Sequence, residues 1–465
     1  MYPHWFDFNT HCAVFGGTQY GKSSWTEDCT DDHIDDRNGV THFCFDRPHY
    51  ARLVEKYTYR NPDQKVYRLD FTQAETIVPL GHWLWRDPAR IAGAIAGAWG
   101  AKNLNDLASY SRIMKTLLAW CAEAKQPVQN AASLVKSKNP ALLKRAIDMA
   151  TNPDTRDEMA GWDAISPTHW NSEFKAVQNR LYEFSGSPSL KAFFGTPGTL
   201  DIRRSVSGRD VILALFPPGE AGKIAAGLLL SEFFEAEGKY YLYLDEAGSY
   251  LPHDGATLLD QAAKRGTRAT LIFHHLQQFD DPHLTKSILV NCGIKVATGG
   301  LPAEDCRQLV PEFFLAQLGE PREKHRFENY ITEYLPQEYD IVTETESEFG
   351  ASQSVRHDTR FVPNQKLVTT GIMEYSEQEK ITILAREFDL PAGKILVKLP
   401  DGTELLEFPK PEPYWISTEQ RLQFEAKHSY GIPAQPIPDL QGHDHASDPA
   451  NRTRKRPRGK LSPEK

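Results

Sequence analysis

HCAVFGGTQYGKSS, residues 11–24, sets a short apolar run directly against a glycine-rich loop that ends in a lysine. Gly16 through Ser23 match the pattern GxxxxGK[ST] in full. Gly16 and Gly21 allow backbone conformations that turn successive N–H groups toward a phosphate chain. Lys22 supplies a cation for the β- and γ-phosphates, and Ser23 offers a hydroxyl to Mg²⁺. A helix starting after the lysine points its positive end at the same charge. A chance glycine turn beside a lysine is the bland alternative, but the order of strand, loop and helix fits the motif. The expected phosphate-binding set is therefore Gly16, Gly17, Thr18, Gln19, Tyr20, Gly21, Lys22, Ser23 and Ser24.

A loop of this type works with carboxylates at the end of a neighbouring strand. Residues 240–248, YYLYLDEAG, place Asp245 and Glu246 after five strand-forming residues. Asp245 is assigned with Ser23 to the metal, and Glu246 is assigned as the base that polarises water. A strand ending in a solvated acidic turn is the alternative. Asp245 stands 223 residues after Lys22, which requires an insertion between the two motifs.

The rest of the chain supplies that insertion. Short apolar runs at His11–Phe15, Thr41–Phe45 and Val66–Leu69 alternate with helix-length segments, as in βαβ units around a parallel sheet. From Leu84 to Phe184, alanine, leucine and charged residues recur at helical spacing. Strand-like runs resume at Asp210–Phe216, Tyr240–Leu244, Ala269–His274 and Ile294–Thr298. Ile395–Leu399 and Leu405–Phe408 read as a hairpin across Asp401-Gly402. The expected architecture is α/β, a P-loop core with a mostly parallel sheet, an inserted helical subdomain and a small C-terminal extension containing β-structure. The expected divisions are 1–83 and 185–310 for the core, 84–184 for the insertion, 311–429 for the extension and 430–465 for a disordered basic tail. That tail carries Arg452, Arg454, Lys455, Arg456, Arg458 and Lys460, which either attract nucleic acid or merely solubilise.

Bulk properties exclude several classes. The 465 residues are 40% hydrophobic and 25% charged, ordinary globular values, and the net charge of -9 offers no global attraction to nucleic acid. Six scattered cysteines contain no CxxC pair, which argues against a zinc site or a disulfide framework and for reduced thiols in the cytoplasm. No apolar stretch approaches the roughly 20 residues of a membrane helix, so a soluble chain is expected. Trp83, Trp85, Trp99 and Trp120 read as packing residues of the helical block more readily than as stacking platforms for single-stranded DNA.

Residues 262–310, AAKRGTRATLIFHHLQQFDDPHLTKSILVNCGIKVATGGLPAEDCRQLV, resemble the HerA/FtsK superfamily, and within it the TraG/TraD-like coupling ATPases of conjugation and type IV secretion. Gln277, Gln278, Asp281, Pro282, Asn291, Gly293, Lys295, Asp305 and Leu309 occupy matching places. Upstream, Asn179-Arg180-Leu181, Phe184, Leu190, Phe194-Gly195 and Leu200-Asp201 resemble the same family, as does SEQEKITILAREFDLPAGKILVKLPDGTELL downstream. The likeness spans roughly residues 10–410. It departs from the family at the tip of the strand ending near His274. A sensor glutamine is usual there, whereas His274 or His275 stands in this chain and Gln278 follows. Either His274 or Gln278 is then the sensor. Because the sequence begins almost on the phosphate loop, the family's amino-terminal membrane helices and barrel are not expected in it.

The resemblance implies a RecA-like core that hydrolyses ATP with Mg²⁺ and translocates DNA as a cytoplasmic homo-oligomeric ring, in the family a hexamer. It also implies an arginine from the neighbouring subunit at each site, with Arg265, Arg268 and Arg180 as the residues in or near that position. A relaxase, nuclease or membrane protein would be the partner. Alternative loads are a protein substrate or a nuclease-coupled role in phage defence or end processing, and a slowly hydrolysing assembly scaffold is the third class.

Overall fold

Cys12, Ala13, Val14 and Phe15 are each no more than 1% exposed, as expected of an interior parallel strand covered on both faces. The structure, a computed structural model, describes residues 10–60, 64–74, 77, 80, 91, 92, 95, 108–126, 128–195, 200–251, 255–278, 282–347, 350–399, 402–408 and 418–419. Along the chain the strands are β1 (Cys12–Phe15), β2 (Gly39–Cys44), β3 (Val66–Asp70), β4 (Val211–Leu215), β5 (Tyr240–Leu244), β6 (Thr267–Phe273), β7 (Ile294–Thr298), β8 (Glu323–Ser347), β9 (Gly350–Glu374), β10 (Lys394–Leu399) and β11 (Gly402–Glu407). Among the described residues nine of them build a largely parallel sheet, so the fold is α/β as the sequence predicts.

Two units divide the chain. The first, residues 1–33 and 234–412, orders its sheet strands β11-β10-β7-β1-β6-β5. β1 runs parallel to both β6 and β7, with Phe15 level with Phe273 and Ala297. β5 runs parallel to β6, and β10 lies antiparallel to β7 and to β11. Because β1, β5, β6 and β7 share one direction, residues 16, 245, 274 and 299 leave the sheet at one edge. Open parallel sheets bind their ligands at that carboxyl edge. After Ser376, whose side chain and Glu379 form a reciprocal capping box, the helix Glu377–Leu384 leads to β10.

β8 and β9 form a separate two-stranded sheet of 25 residues per strand. Sequence reading did not single it out.

The second unit, residues 34–233 and 413–465, carries β2-β4-β3, all parallel, with Cys44 and Asp70 both level with Leu215. Helices occupy Ala108–Glu123, Val128–Lys136, Pro140–Met149, Pro153–Asp163, Pro167–Gly186 and Pro188–Gly195. Asn139 and Asn152 cap two of them, each followed by a proline that needs no N–H donor at the first helical position. Trp120 is buried and donates to Ala146 O at 2.9 Å, so it packs within this block. Trp83, Trp85, Trp99 and the tail after 430 lie outside the described residues. All six cysteines are free and buried. No helix among the described residues is long and apolar enough to cross a membrane.

His11 fastens the entry to β1. Its Nδ1 accepts the Ala269 N–H at 2.9 Å, so the remaining proton sits on Nε2, which donates to Leu259 O at 2.7 Å. Burial pushes this imidazole down to about 4. The unfolded chain binds that proton more readily. The contribution to stability is therefore complete above about pH 6.5 and is lost as the pH falls toward 4. Urea unfolding at pH 7 and pH 4.5 should show the wild type losing roughly 2–3 kcal/mol through this residue. A His11→Gln variant should lack that component of the pH dependence.

Candidate functional site

The phosphate loop joins β1 to the helix Lys22–Asp35, and neighbouring strand ends hold it in place. Gly16 N–H donates to Phe273 O at 3.2 Å and Gly17 N–H to Gly299 O at 2.9 Å. A Cβ on Gly16 would stand 1.8 Å from Thr298 Oγ1, so only hydrogen fits. Gly21 has φ +96°, a conformation that side chains disfavour, and the Phe408 ring lies 2.5 Å from where its Cβ would be. The Tyr20 ring covers the Gly299-Gly300 backbone. Thr18 and Gln19 are exposed at the loop's crest, while Ser23 and Ser24 are half-buried in the first turn of the helix.

Lys22 is 6% exposed, and its ammonium donates to Gly16 O at 2.6 Å and Gly17 O at 2.7 Å. It also lies 3.2 Å from His274 Nδ1. These partners are neutral, and burial pulls the ammonium down to about 8 against the opposing charge of Asp245. A buried cation satisfied only by neutral acceptors is a ready receptor for an anion. His274 is in turn depressed, first by burial and then by the Lys22 charge, so its imidazole stays neutral at neutral pH. With Nδ1 accepting from Lys22, the ring proton belongs on Nε2.

Asp245 and Glu246 follow β5 directly. Glu246 adopts φ +49°, left-handed backbone that costs a non-glycine residue about 1 kcal/mol. Its N–H donates to Asp245 Oδ1 at 3.1 Å. Burial, then the Asp245 charge, raises the Glu246 carboxyl, bringing it closer to a useful proton acceptor at neutral pH. Such local strain at a strand end is common where a side chain must be aimed.

Gln278 accepts the His274 backbone N–H at 3.1 Å, and buried Asp305 accepts the Leu276 N–H at 2.9 Å. The two thus brace the turn after β6, while the His274 side chain faces Lys22. Arg265 and Arg268 flank the start of β6, at the edge opposite the loop. Arg265 pairs with Glu235 at 3.2 Å and donates to Phe234 O at 2.7 Å, and Arg268 donates to Ala263 O at 2.5 Å. Neither reaches the loop of its own chain. In the second unit, Arg180 lies 4.4 Å over the Tyr110 ring and donates to Ala176 O at 3.1 Å.

Nucleotide and metal fit these groups by chemistry. Among the described residues no three His, Cys, Asp or Glu side chains gather as a metal site. Mg²⁺ needs no such cluster, because it keeps several waters and takes one or two protein oxygens besides phosphates. Ser23 and Asp245 are donors of that kind. Sequence reading missed the back wall of Thr298, Gly299 and Gly300, and the Phe408 wedge. The Gly299-Gly300 pair at a strand end was the available signal.

The glycine loop, the buried lysine and the acidic pair lie at the carboxyl edge of a largely parallel sheet, the layout of a P-loop site. No protein-family model and no curated protein matches the sequence. Among solved structures, the chain is similar to the bacterial conjugative coupling protein TrwB in its unbound form. The TM-score is 0.56 at 11% identity, covering 87% of this chain and 85% of that one. TrwB with the non-hydrolysable analogue ADPNP gives 0.56 at 12% identity, covering 87% and 86%. TrwB with ADP and Mg²⁺ gives 0.51 at 13% identity, covering 88% of each chain. The chain therefore has the RecA-like fold of that protein.

The Gly16 position tests the packing directly. Gly16→Ala should destabilise the protein by about 1–3 kcal/mol, the usual result of overpacking, when followed by chemical denaturation. Adding Thr298→Ala removes the 1.8 Å contact and leaves one of 3.0 Å, so the double variant should recover part of the loss.

Proposed function

We propose that this chain is an ATP-hydrolysing motor that moves DNA, of the kind used in conjugation and type IV secretion, working as a homo-oligomeric ring, in this reading a hexamer. The observation that carries the proposal is the buried Lys22 ammonium, satisfied by loop carbonyls and lying within the field of Asp245. TrwB, which shares the fold, has been solved with ADPNP and with ADP and Mg²⁺, and this supports the choice of nucleotide. When bound, Mg-ATP would supply the phosphoanhydride whose cleavage drives movement. Lys22 and the loop N–H groups would hold the β- and γ-phosphate charge, and Ser23 with Asp245 would hold Mg²⁺. Glu246 would take the proton of the attacking water. His274, beside Lys22, would serve as sensor, with Gln278 as the clamp of its turn.

Arg265 sits at the sheet edge away from its own loop, which suits a residue offered to a neighbouring subunit. Such a finger is worth roughly 10³–10⁵ in rate. In the same reading the core occupies 1–83 and 185–310, the helical insertion 84–184, the extension 311–429 and the basic tail 430–465.

Lys22→Ala should weaken nucleotide binding at least tenfold, about 1.4 kcal/mol, in a direct titration. Glu246→Gln should bind nucleotide normally and slow turnover by roughly 10²–10⁴, because the amide keeps the shape and cannot accept the proton. In both assays an unaltered variant would remove that residue from the site. Wild-type ATP turnover should rise on adding DNA. A rate that no DNA, single- or double-stranded, alters would favour a protein load or a scaffold.

A further inference from the structure

β8 and β9 make a ribbon of 25 residues per strand, about 80 Å long at roughly 3.4 Å per residue. The register is continuous from Glu328 opposite Thr369 to Ser347 opposite Gly350. Two-stranded ribbons are at best marginally stable in water and need a packed face. Here neither face is packed by the described residues. Tyr330, Tyr334 and Phe361 are 64–70% exposed, and Ile331, Leu335 and Ile341 are 38–48% exposed.

Side chains alternate between the faces, and cross-strand partners share a face. One face carries the pairs Tyr330–Leu367, Tyr334–Pro363, Pro336–Phe361 and Val342–Val355. Between residues 328 and 344, and their partners 353–369, its formal charges are Glu328, Glu338, Asp340 and Glu344, with no Lys or Arg. The opposite face carries Ile331–Lys366, Leu335–Val362, Gln337–Arg360 and Ile341–Arg356. There Arg356, Arg360 and Lys366 outnumber Glu333 and Asp358, and Arg360 lies 5.7 Å from the Tyr339 ring centroid.

Two apolar faces of unlike charge decide what can cover them. One foreign protein on one face would leave the other apolar face in water. Pairing of like faces between two copies would set carboxylates against carboxylates on the one face, and Arg356, Arg360 and Lys366 against their own kind on the other. Edge-to-edge strand addition would leave both faces open. Packing the acidic face of one copy on the basic face of the next satisfies apolar burial and charge together, and it gives every ribbon two neighbours. Such a heterologous contact repeats head to tail and closes into a ring when the rotation allows.

We propose that the β8–β9 ribbon is a self-association surface. In it the face of Tyr330, Tyr334, Phe361 and Asp340 packs on the face of Leu335, Ile341, Arg356 and Arg360 of a second copy. This deepens the ring reading above and rests on it for closure, but not on the identity of the cargo.

The test is a charge-exchange cycle read by light scattering with nucleotide present. One full-length variant carries Arg356→Glu, Arg360→Glu and Lys366→Glu, and the other carries Glu338→Lys, Asp340→Lys and Glu344→Lys. The wild type should show a multi-subunit mass. Each variant alone should fall to the single-chain mass while still binding nucleotide. An equimolar mixture should regain the multi-subunit mass, because each reversed face then meets its opposite. Either variant keeping the wild-type mass would overturn the ribbon contact and leave the ring to other surfaces. A mixture remaining at single-chain mass would overturn the acidic-on-basic pairing. A wild type at single-chain mass would overturn both the contact and the ring. If the first variant lost DNA affinity at unchanged mass, the basic face would be a nucleic-acid surface and the proposal would fail. DNA-stimulated turnover, measured separately, reports on the motor reading alone.

Discussion

Everything at the carboxyl edge of the sheet turns on keeping one ammonium out of water. Lys22 can be buried only because the loop folds its own Gly16 and Gly17 carbonyls onto Nζ, and the loop can fold so only where glycine permits. That tightness needs β6 and β7 on either side of β1, since Phe273 O and Gly299 O receive the loop's first N–H groups. The buried strands are therefore the frame for a small, partly desolvated electrostatic device. An anion entering it meets a cation already stripped of most of its water.

The surrounding groups answer to that charge. His274 is held neutral by burial and by Lys22, whereas Glu246 is held nearer to protonation by burial and by Asp245. The pair thus supplies a neutral hydrogen-bonding ring and a carboxylate of raised basicity within one edge of the sheet. Gln278 and Asp305 spend their acceptors on backbone N–H groups, fixing the turn that carries His274. Position and charge are set by different residues, which is why neighbouring polar side chains of similar type have unlike parts.

Much of this was legible in the chain. The phosphate loop is contiguous, and Gly16, Gly21, Lys22 and Ser23 each have a separate physical reason. The buried strand YYLYL announces itself as an unbroken apolar run, IKVAT is interrupted by Lys295, and both were read to the residue. The back wall was not legible, because Thr298 meets Gly16 across 282 residues and no local pattern encodes that meeting. Phe408 reaches Gly21 through an antiparallel pair at the sheet's far side, again a tertiary fact. The β8–β9 ribbon was missed for another reason. In FENYITEY the apolar residues Phe327, Tyr330, Ile331 and Tyr334 fall at helical spacing and not at a period of two, and Pro336, Pro363 and frequent charges weaken the strand signal further. Exposed strands look like loops when both faces are mixed.

The central claim is that Lys22 is a desolvated cation awaiting phosphate, and its own titration tests this most directly. In the free protein, NMR of the lysine side-chain nitrogens should show Lys22 losing its proton near pH 8, in line with its burial. Binding of the Mg-nucleotide should return it to about 10.4, the ordinary lysine value, or above. A Lys22 that titrates like the surface lysines in both states would contradict the account.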